Sequence, residues 1–229
     1  MAQESNRIDV SLEVGKKKTF AAALDWPGWS RSGRDEPGAL EALIEAGPRY
    51  ARALKGTGFG FRAPGDVSDL VVVERLEGTT TTDFGAPDRA LPGDDAPVDP
   101  AELERWEKIL RACWRAFDAA VENAAGKTLA KGPRGGGRDL EKIVGHVLDV
   151  DAGYLSILGG KFKPEGAAST DEVLAGVRRA ILDTLAGRVS GEVPDQGPRG
   201  GKRWAPRFFV RRLAWHELDH AWEIEDRET

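Results

Sequence analysis

The chain contains three histidines, and two of them, His216 and His220, stand four residues apart in the segment WHELDH near the C-terminus. On an α-helix, four residues bring a side chain back to within about 40° and move it about 6 Å along the axis. The pair is therefore predicted to share one helical face. The third histidine, His146, lies in the segment GHVLDVDAGYL (145–155). Imidazole nitrogens bind zinc, nickel, copper and iron, so the chemistry that these residues offer is metal binding.

Apolar residues accompany the histidines at helical spacing, which predicts that all three rings turn inward. The stripe of the pair includes Phe209, Leu213 and Ile224, and the side of His146 includes Ile143, Val147, Val150 and Ile157. Buried imidazoles are unfavourable unless their nitrogens find partners, and a shared divalent ion would bind one nitrogen of each ring. Three ligands leave a fourth position for water or substrate, which is typical of catalytic sites. The alternative is three separate, hydrogen-bonded core histidines.

Charged residues border the histidines. Asp149 and Glu223 each follow a histidine by three residues, where a carboxylate could orient a ligand imidazole or a metal-bound water. Arg212 lies one turn before the histidine pair on a neighbouring face, where it could meet an anionic substrate. A solvated helix charge is the alternative interpretation for each of the three. No residue is identified as catalytic.

The histidine-bearing segments belong to a helical C-terminal half. Segments with helical start and end signals, joined by Gly/Pro-rich connections, span 99–126, 139–160, 169–188 and 204–227. Four such segments predict an all-α four-helix bundle. The glycine-rich stretch 131–138 lacks the phosphate-loop pattern, so we assign it no nucleotide role.

The first third of the chain has the patterns of strands. Alternating or β-branched apolar residues predict strands at 7–14, 19–24, near 29–31 and at 69–77. A helix is predicted over 37–54, and Pro48 is expected to kink or divide it. Residues 78–100 are rich in Thr, Gly, Pro and Asp, which is linker composition. The predicted domains are therefore a small α+β module (1–77), a linker (78–100) and the bundle (101–229).

Composition bears on whether this protein binds nucleic acid or a membrane. The chain has 33 Lys/Arg against 38 Asp/Glu, a net charge of −5. Proteins that bind nucleic acid usually carry an excess of basic residues, so nucleic-acid binding is not expected. No apolar run approaches the roughly 18 residues that span a bilayer, and the N-terminal stretch lacks a signal-peptide pattern. The single cysteine, Cys113, excludes an internal disulfide and is expected to be a buried thiol. We therefore expect a cytoplasmic protein without a membrane partner.

Residues from about 100 to 227 resemble the DinB-like superfamily of metal-binding four-helix bundles. GHVLDVDAGYL matches the motif of its second helix through His146, and WHELDH matches that of its last helix through His216 and His220. The resemblance implies a zinc or nickel site and, in many relatives, a homodimer. Some relatives are transferases or isomerases that depend on a low-molecular-weight thiol such as mycothiol or bacillithiol. Many have no established reaction.

Residues from about 8 to 55 resemble the HicB-like antitoxin module. The stretch DWPGWSRSGRDEPGALEAL (25–43) carries the turn and the entry to the helix that this module has. No ribbon-helix-helix segment follows, so the DNA-binding role of complete antitoxins is not expected. A pocket or a partner-binding surface is the role that the resemblance implies.

Three functional hypotheses follow from these patterns together with what the two resemblances imply, namely a thiol-dependent reaction and an antitoxin-like role. The first is a cytoplasmic divalent-metal protein with an open three-histidine site, acting on a small molecule as a metal- and thiol-dependent transferase or isomerase or as a hydrolase. The second is a non-enzymatic, dimeric binding or sensing scaffold. The third is an antitoxin-like regulator that acts through the N-terminal module. Metal content and solvent access to the histidines distinguish the first hypothesis from the second.

Overall fold

The computed structural model describes residues 7–131, 137–164 and 166–229. The chain divides into two compact units, of which the first ends at Pro92 and the second begins at Gly93. This boundary lies inside the predicted linker, 78–100. Most of the glycine-rich stretch 131–138 and the first six residues of the predicted N-terminal module lie outside the described residues.

The first unit combines a mixed sheet with one long helix, which confirms the predicted α+β class. In its described residues the elements are β1 Ile8–Val14, β2 Thr19–Ala23, β3 Ser30–Gly33, α1 Glu36–Ala53, β4 Leu70–Glu77 and α2 Thr80–Phe84. The strand order is β3-β2-β1-β4. Strand β1 pairs antiparallel with β2 and parallel with β4, and β2 pairs antiparallel with β3. The helix packs against β2 and β3.

Helix α1 runs without interruption through Pro48. Of the two predicted effects of this proline, division of the helix is wrong and a kink stays a prediction. Hydrogen bonds from buried side chains of the first unit hold α1 both before and after Pro48. The indole N–H of Trp29 donates to the Leu43 carbonyl at 2.9 Å, and the Tyr50 hydroxyl donates to the Pro27 carbonyl at 2.9 Å. A helical proline removes its own N–H bond and crowds the carbonyl four residues earlier, and buried contacts before and after it offset that cost.

The chain that follows β4 is built around a buried carboxylate. The side chain of Glu13, on β1, accepts hydrogen bonds from the Thr82 hydroxyl and from the backbone N–H groups of Asp88 and Arg89. Glu13 is buried, and burying a carboxylate is favourable only when donors satisfy it. The first part of the predicted linker therefore packs within the first unit, because its backbone supplies those donors.

The described residues of the second unit contain four long helices, as predicted: α3 Pro100–Ala124, α4 Leu140–Leu158, α5 Thr170–Ser190 and α6 Pro206–Arg227. Helices α3, α4 and α5 begin at side-chain caps, from Asp99, Asp139 and Ser169 respectively. Helix α6 packs against the other three and is buried on nearly every side between Phe208 and Ile224. Within the described part of the chain, no helix is both long enough and apolar enough to cross a bilayer.

Candidate metal centre

Helices α4 and α6 bring the three histidines together. The ring centroids lie 5.3 Å apart for His146 and His216, 5.0 Å for His146 and His220, and 4.6 Å for His216 and His220. One nitrogen from each ring lies within 4.8 Å of the other two. Among the described residues, this is the one group of His, Cys, Asp or Glu side chains with such spacing. The three imidazoles are therefore close enough to hold one metal ion together.

Apolar packing on both helices fixes this arrangement. Leu213 and Ile224, on the stripe of the α6 pair, are fully buried, and so are Ile143 and Val147 beside the α4 histidine. Ile157, three turns further along α4 than His146, is 38% exposed, contrary to its predicted inward position.

The three rings differ in exposure. His216 and His220 are 6% and 8% exposed, whereas His146 is only half-buried. The cluster therefore opens to solvent on the side of His146. An ion at this point would have two sheltered ligands and one ligand beside an accessible position, which is the arrangement expected of an open site.

Burial and neighbouring charges favour the neutral form of the rings of His216 and His146. Burial lowers the pKa of His216 well below its ordinary value, and the positive charges that His220, His146 and Arg212 can carry lower it further. Burial also lowers the pKa of His146, with the charge of Arg138 as the next cause. Neutral imidazole is the form that binds a metal ion, so no proton has to be displaced from these two rings near neutral pH.

The surroundings of two ring nitrogens indicate whether the three histidines are suited to bind a metal ion. Nδ1 of His220 lies 2.9 Å from Oε2 of Glu223, which leaves Nε2 as the metal-binding nitrogen. This bond is the largest cause of the lowered pKa of Glu223. Among the described residues, Nδ1 of His216 is buried and has no hydrogen-bond partner. A buried nitrogen without a partner is costly, and a metal ion bound by the rings would offset that cost, so the donor set fits.

The other predicted residues take different positions. Glu223 contacts a ring directly, as described above. Asp149 is exposed on α4 and acts on His146 through its charge, which opposes the effect of burial on the pKa of that histidine. Arg212 donates its Nε–H to the hydroxyl of Tyr154 at 2.9 Å, and the Tyr154 ring lies 5.9 Å from the ring of His216. Sequence reasoning did not select Tyr154, although its spacing from His146 places it about 80° around the same helix.

A buried group of charged residues, missed by the sequence analysis, lies beside His216 in the chain. Glu217 and Asp151, from α6 and α4, are fully buried, and each carboxyl group affects the pKa of the other. Arg178 approaches Glu217 at 3.8 Å and binds Asp118 at 2.8 Å. Burial raises the pKa of Asp151 to about 7 and raises the pKa of Glu217 well above its ordinary value. These two carboxyl groups are therefore expected to share a proton near neutral pH.

No family model matches this chain, and no curated protein or solved structure matches it at a significant level. The DinB-like and HicB-like resemblances therefore rest on the sequence motifs alone. A functional assignment has to be supported by the geometry of the site.

Proposed function

We propose that this protein binds a divalent metal ion through His146, His216 and His220 and acts on a small molecule at the open position beside that ion. The observation that carries the proposal is the convergence of one nitrogen from each ring within 4.8 Å. Zinc and nickel are the proposed ions, because imidazole donors suit both and because the DinB-like motifs imply them.

A bound divalent ion supplies Lewis acidity, which activates a thiol, a water molecule or a carbonyl group. The residues of the chain contribute position and access. Glu223 holds the ring of His220 through its 2.9 Å hydrogen bond, so that Nε2 is directed away from that carboxylate. His146 is half-buried and borders the accessible side, where a small molecule would approach. Buried residues of α6 exclude water from the opposite side.

Thiol-dependent transfer or isomerisation is the reaction that the DinB-like motifs favour, with hydrolysis as the alternative at the same site. A low-molecular-weight thiol would then be a co-substrate. Cys113 does not replace it, because this thiol is fully buried and burial raises its pKa. We also propose a cytoplasmic homodimer, which the resemblance and the single cysteine support. Light scattering on the purified protein would test the dimer, and a monomer would contradict it.

Metal content tests the central assignment. Purified protein loaded with Zn²⁺ or Ni²⁺ and dialysed should retain about one ion per chain, as expected for a single three-histidine site. A variant with His216→Ala and His220→Ala should retain none. The matched control is Glu225→Gln, which changes an exposed residue of α6 and should keep the ion. Equal metal content in the double variant and the wild type would overturn the ligand assignment.

Access to the ion separates an enzyme from a scaffold. Solvent-water relaxation measured on the protein loaded with paramagnetic Ni²⁺ should show exchange of water at the ion, because His146 lies on an open side. Bound Ni²⁺ without exchanging water would instead favour the non-enzymatic scaffold.

A further inference from the structure

We propose that Arg212 and Tyr154 form an anion-binding position beside the three histidines, and that this position selects a small molecule carrying a carboxylate. The inference deepens the proposed function, on which it rests, by naming the chemical class of the substrate or co-substrate.

The guanidinium group of Arg212 is held in one place by residues of two helices. Its Nε–H donates to the Tyr154 hydroxyl at 2.9 Å, and its central carbon lies 6.0 Å from the centre of the Tyr154 ring. The same carbon lies 5.1 Å from the ring centre of Trp215. Contacts between a guanidinium and aromatic faces are attractive and orient the plane of the cation. Arg212 is therefore preorganised, and a ligand would meet it without a large loss of side-chain entropy.

This cation lies close to the histidines. The Tyr154 ring that orients it is 5.9 Å from the ring of His216. Arg212 itself stands four residues before His216 on α6, about one turn along the helix. One cation of fixed orientation therefore borders the histidine cluster.

Positive side chains beside a metal site are unfavourable for the metal alone, because like charges repel. An anion that lies between the ion and the guanidinium would offset this repulsion. A carboxylate fits best, since its two oxygens match the parallel N–H groups of a guanidinium. Arg212 and Tyr154 are both half-buried, so a small molecule can reach them. Glu223, an acid near the rings, is bound to His220 and Arg227. Asp149, another acid near them, is exposed to solvent.

Binding of benzoate to the Co²⁺-loaded protein tests the proposal, with benzamide as the neutral probe of the same shape. Both would be followed by the visible spectrum of the cobalt. We expect wild-type protein to bind benzoate more tightly than benzamide. In Arg212→Gln, benzoate should bind roughly tenfold more weakly or worse, as expected when a charged hydrogen bond is lost. Co²⁺ itself should bind at least as tightly as before, because a nearby positive charge has been removed.

Weaker binding of benzoate together with unchanged or tighter binding of Co²⁺ indicates that Arg212 binds the ligand. A purely structural role would weaken both affinities or neither. Tyr154→Phe keeps the ring and removes the hydroxyl that orients Arg212, so it should show a smaller loss for benzoate. Arg179→Gln removes an exposed arginine of α5 and should change neither affinity. If Arg212→Gln fails to fold, Arg212→Lys is used as the test variant instead. It keeps the charge and loses the planar pair of donors, so benzoate should again bind more weakly.

Equal binding of benzoate and benzamide, or unchanged benzoate affinity in both Arg212 variants, would overturn the proposal. A wild-type protein that binds no Co²⁺ would instead overturn the proposed metal function. The anion position would then be tested by calorimetry of benzoate with the metal-free protein. Weaker binding in Arg212→Gln would support the position, and equal binding would overturn it.

Discussion

Nδ1 of His220 lies 2.9 Å from Oε2 of Glu223, one turn further along α6. The other oxygen of this carboxylate accepts a bond from Arg227 at 2.5 Å. Arg227 in turn donates to the backbone carbonyls of Ala130 and Arg138, at 2.9 Å and 2.7 Å. One series of hydrogen bonds therefore runs from a proposed metal ligand to the segment that precedes α4. It orients the imidazole through groups that no ligand has to displace.

Replacing Glu223 by Gln should weaken metal binding roughly tenfold or more, because the neutral amide is a poorer acceptor for the imidazole N–H and raises its basicity less. The measurement is Zn²⁺ affinity by competition with a chromophoric chelator. Glu225→Gln removes the same charge from an exposed position of α6 and is the control. Equal Zn²⁺ affinity in Glu223→Gln and the wild type would show that this carboxylate does not support the site.

The metal-free protein should lose stability in acid, because the pKa of His216 lies well below its ordinary value of 6.5 in the folded state. Below pH 6.5 the unfolded chain then binds more protons than the folded chain, so the free energy of unfolding decreases as the pH falls. His146 contributes in the same direction. Urea denaturation between pH 7 and pH 5 should show a smaller decrease for His216→Gln than for the wild type. An equal decrease would contradict this assignment.

Asp151 should have the opposite effect on stability. Its pKa is about 7 in the folded state against an ordinary value of 3.8, so the folded protein holds a proton that the unfolded chain has lost. The free energy of unfolding should therefore decrease as the pH rises through this window. Asp151→Asn cannot ionise, and its stability relative to the wild type should be higher at pH 8 than at pH 5. Urea denaturation of both proteins measures this difference, and a constant difference would count against a protonated Asp151.

In the first unit, Glu13→Gln should destabilise the fold by about 1–3 kcal/mol, the usual cost of leaving buried hydrogen-bonding groups unsatisfied. The carboxylate accepts from Thr82, Asp88 and Arg89, whereas an amide would turn a donor toward some of these donors. Thermal unfolding compares the variant with Glu77→Gln, an exposed position on β4. Similar melting temperatures for the two variants would contradict the role of Glu13.

Local patterns predicted the elements of this protein and part of its site. The four-residue spacing of His216 and His220 placed both rings on one face, and Asp139 and Ser169 marked helix starts that the structure confirms. Glu223 was predicted beside its histidine for the same reason. Each of these relations lies within one or two helical turns, where backbone geometry alone sets the distance between side chains.

Apart from the histidine cluster, which the inward positions of the three rings and the DinB-like motifs suggested, contacts between helices were beyond the sequence. Arg212 and Tyr154 are 58 residues apart in the chain, and the pairing of Asp151 with Glu217 also joins α4 to α6. The Glu13 carboxylate that organises part of the predicted linker is likewise distant in sequence from its donors. The chain by itself determined which side chains share a helical face. Only the packing of α4 on α6 decided which faces meet, because that packing depends on the burial of many apolar side chains together and leaves no local periodic signal.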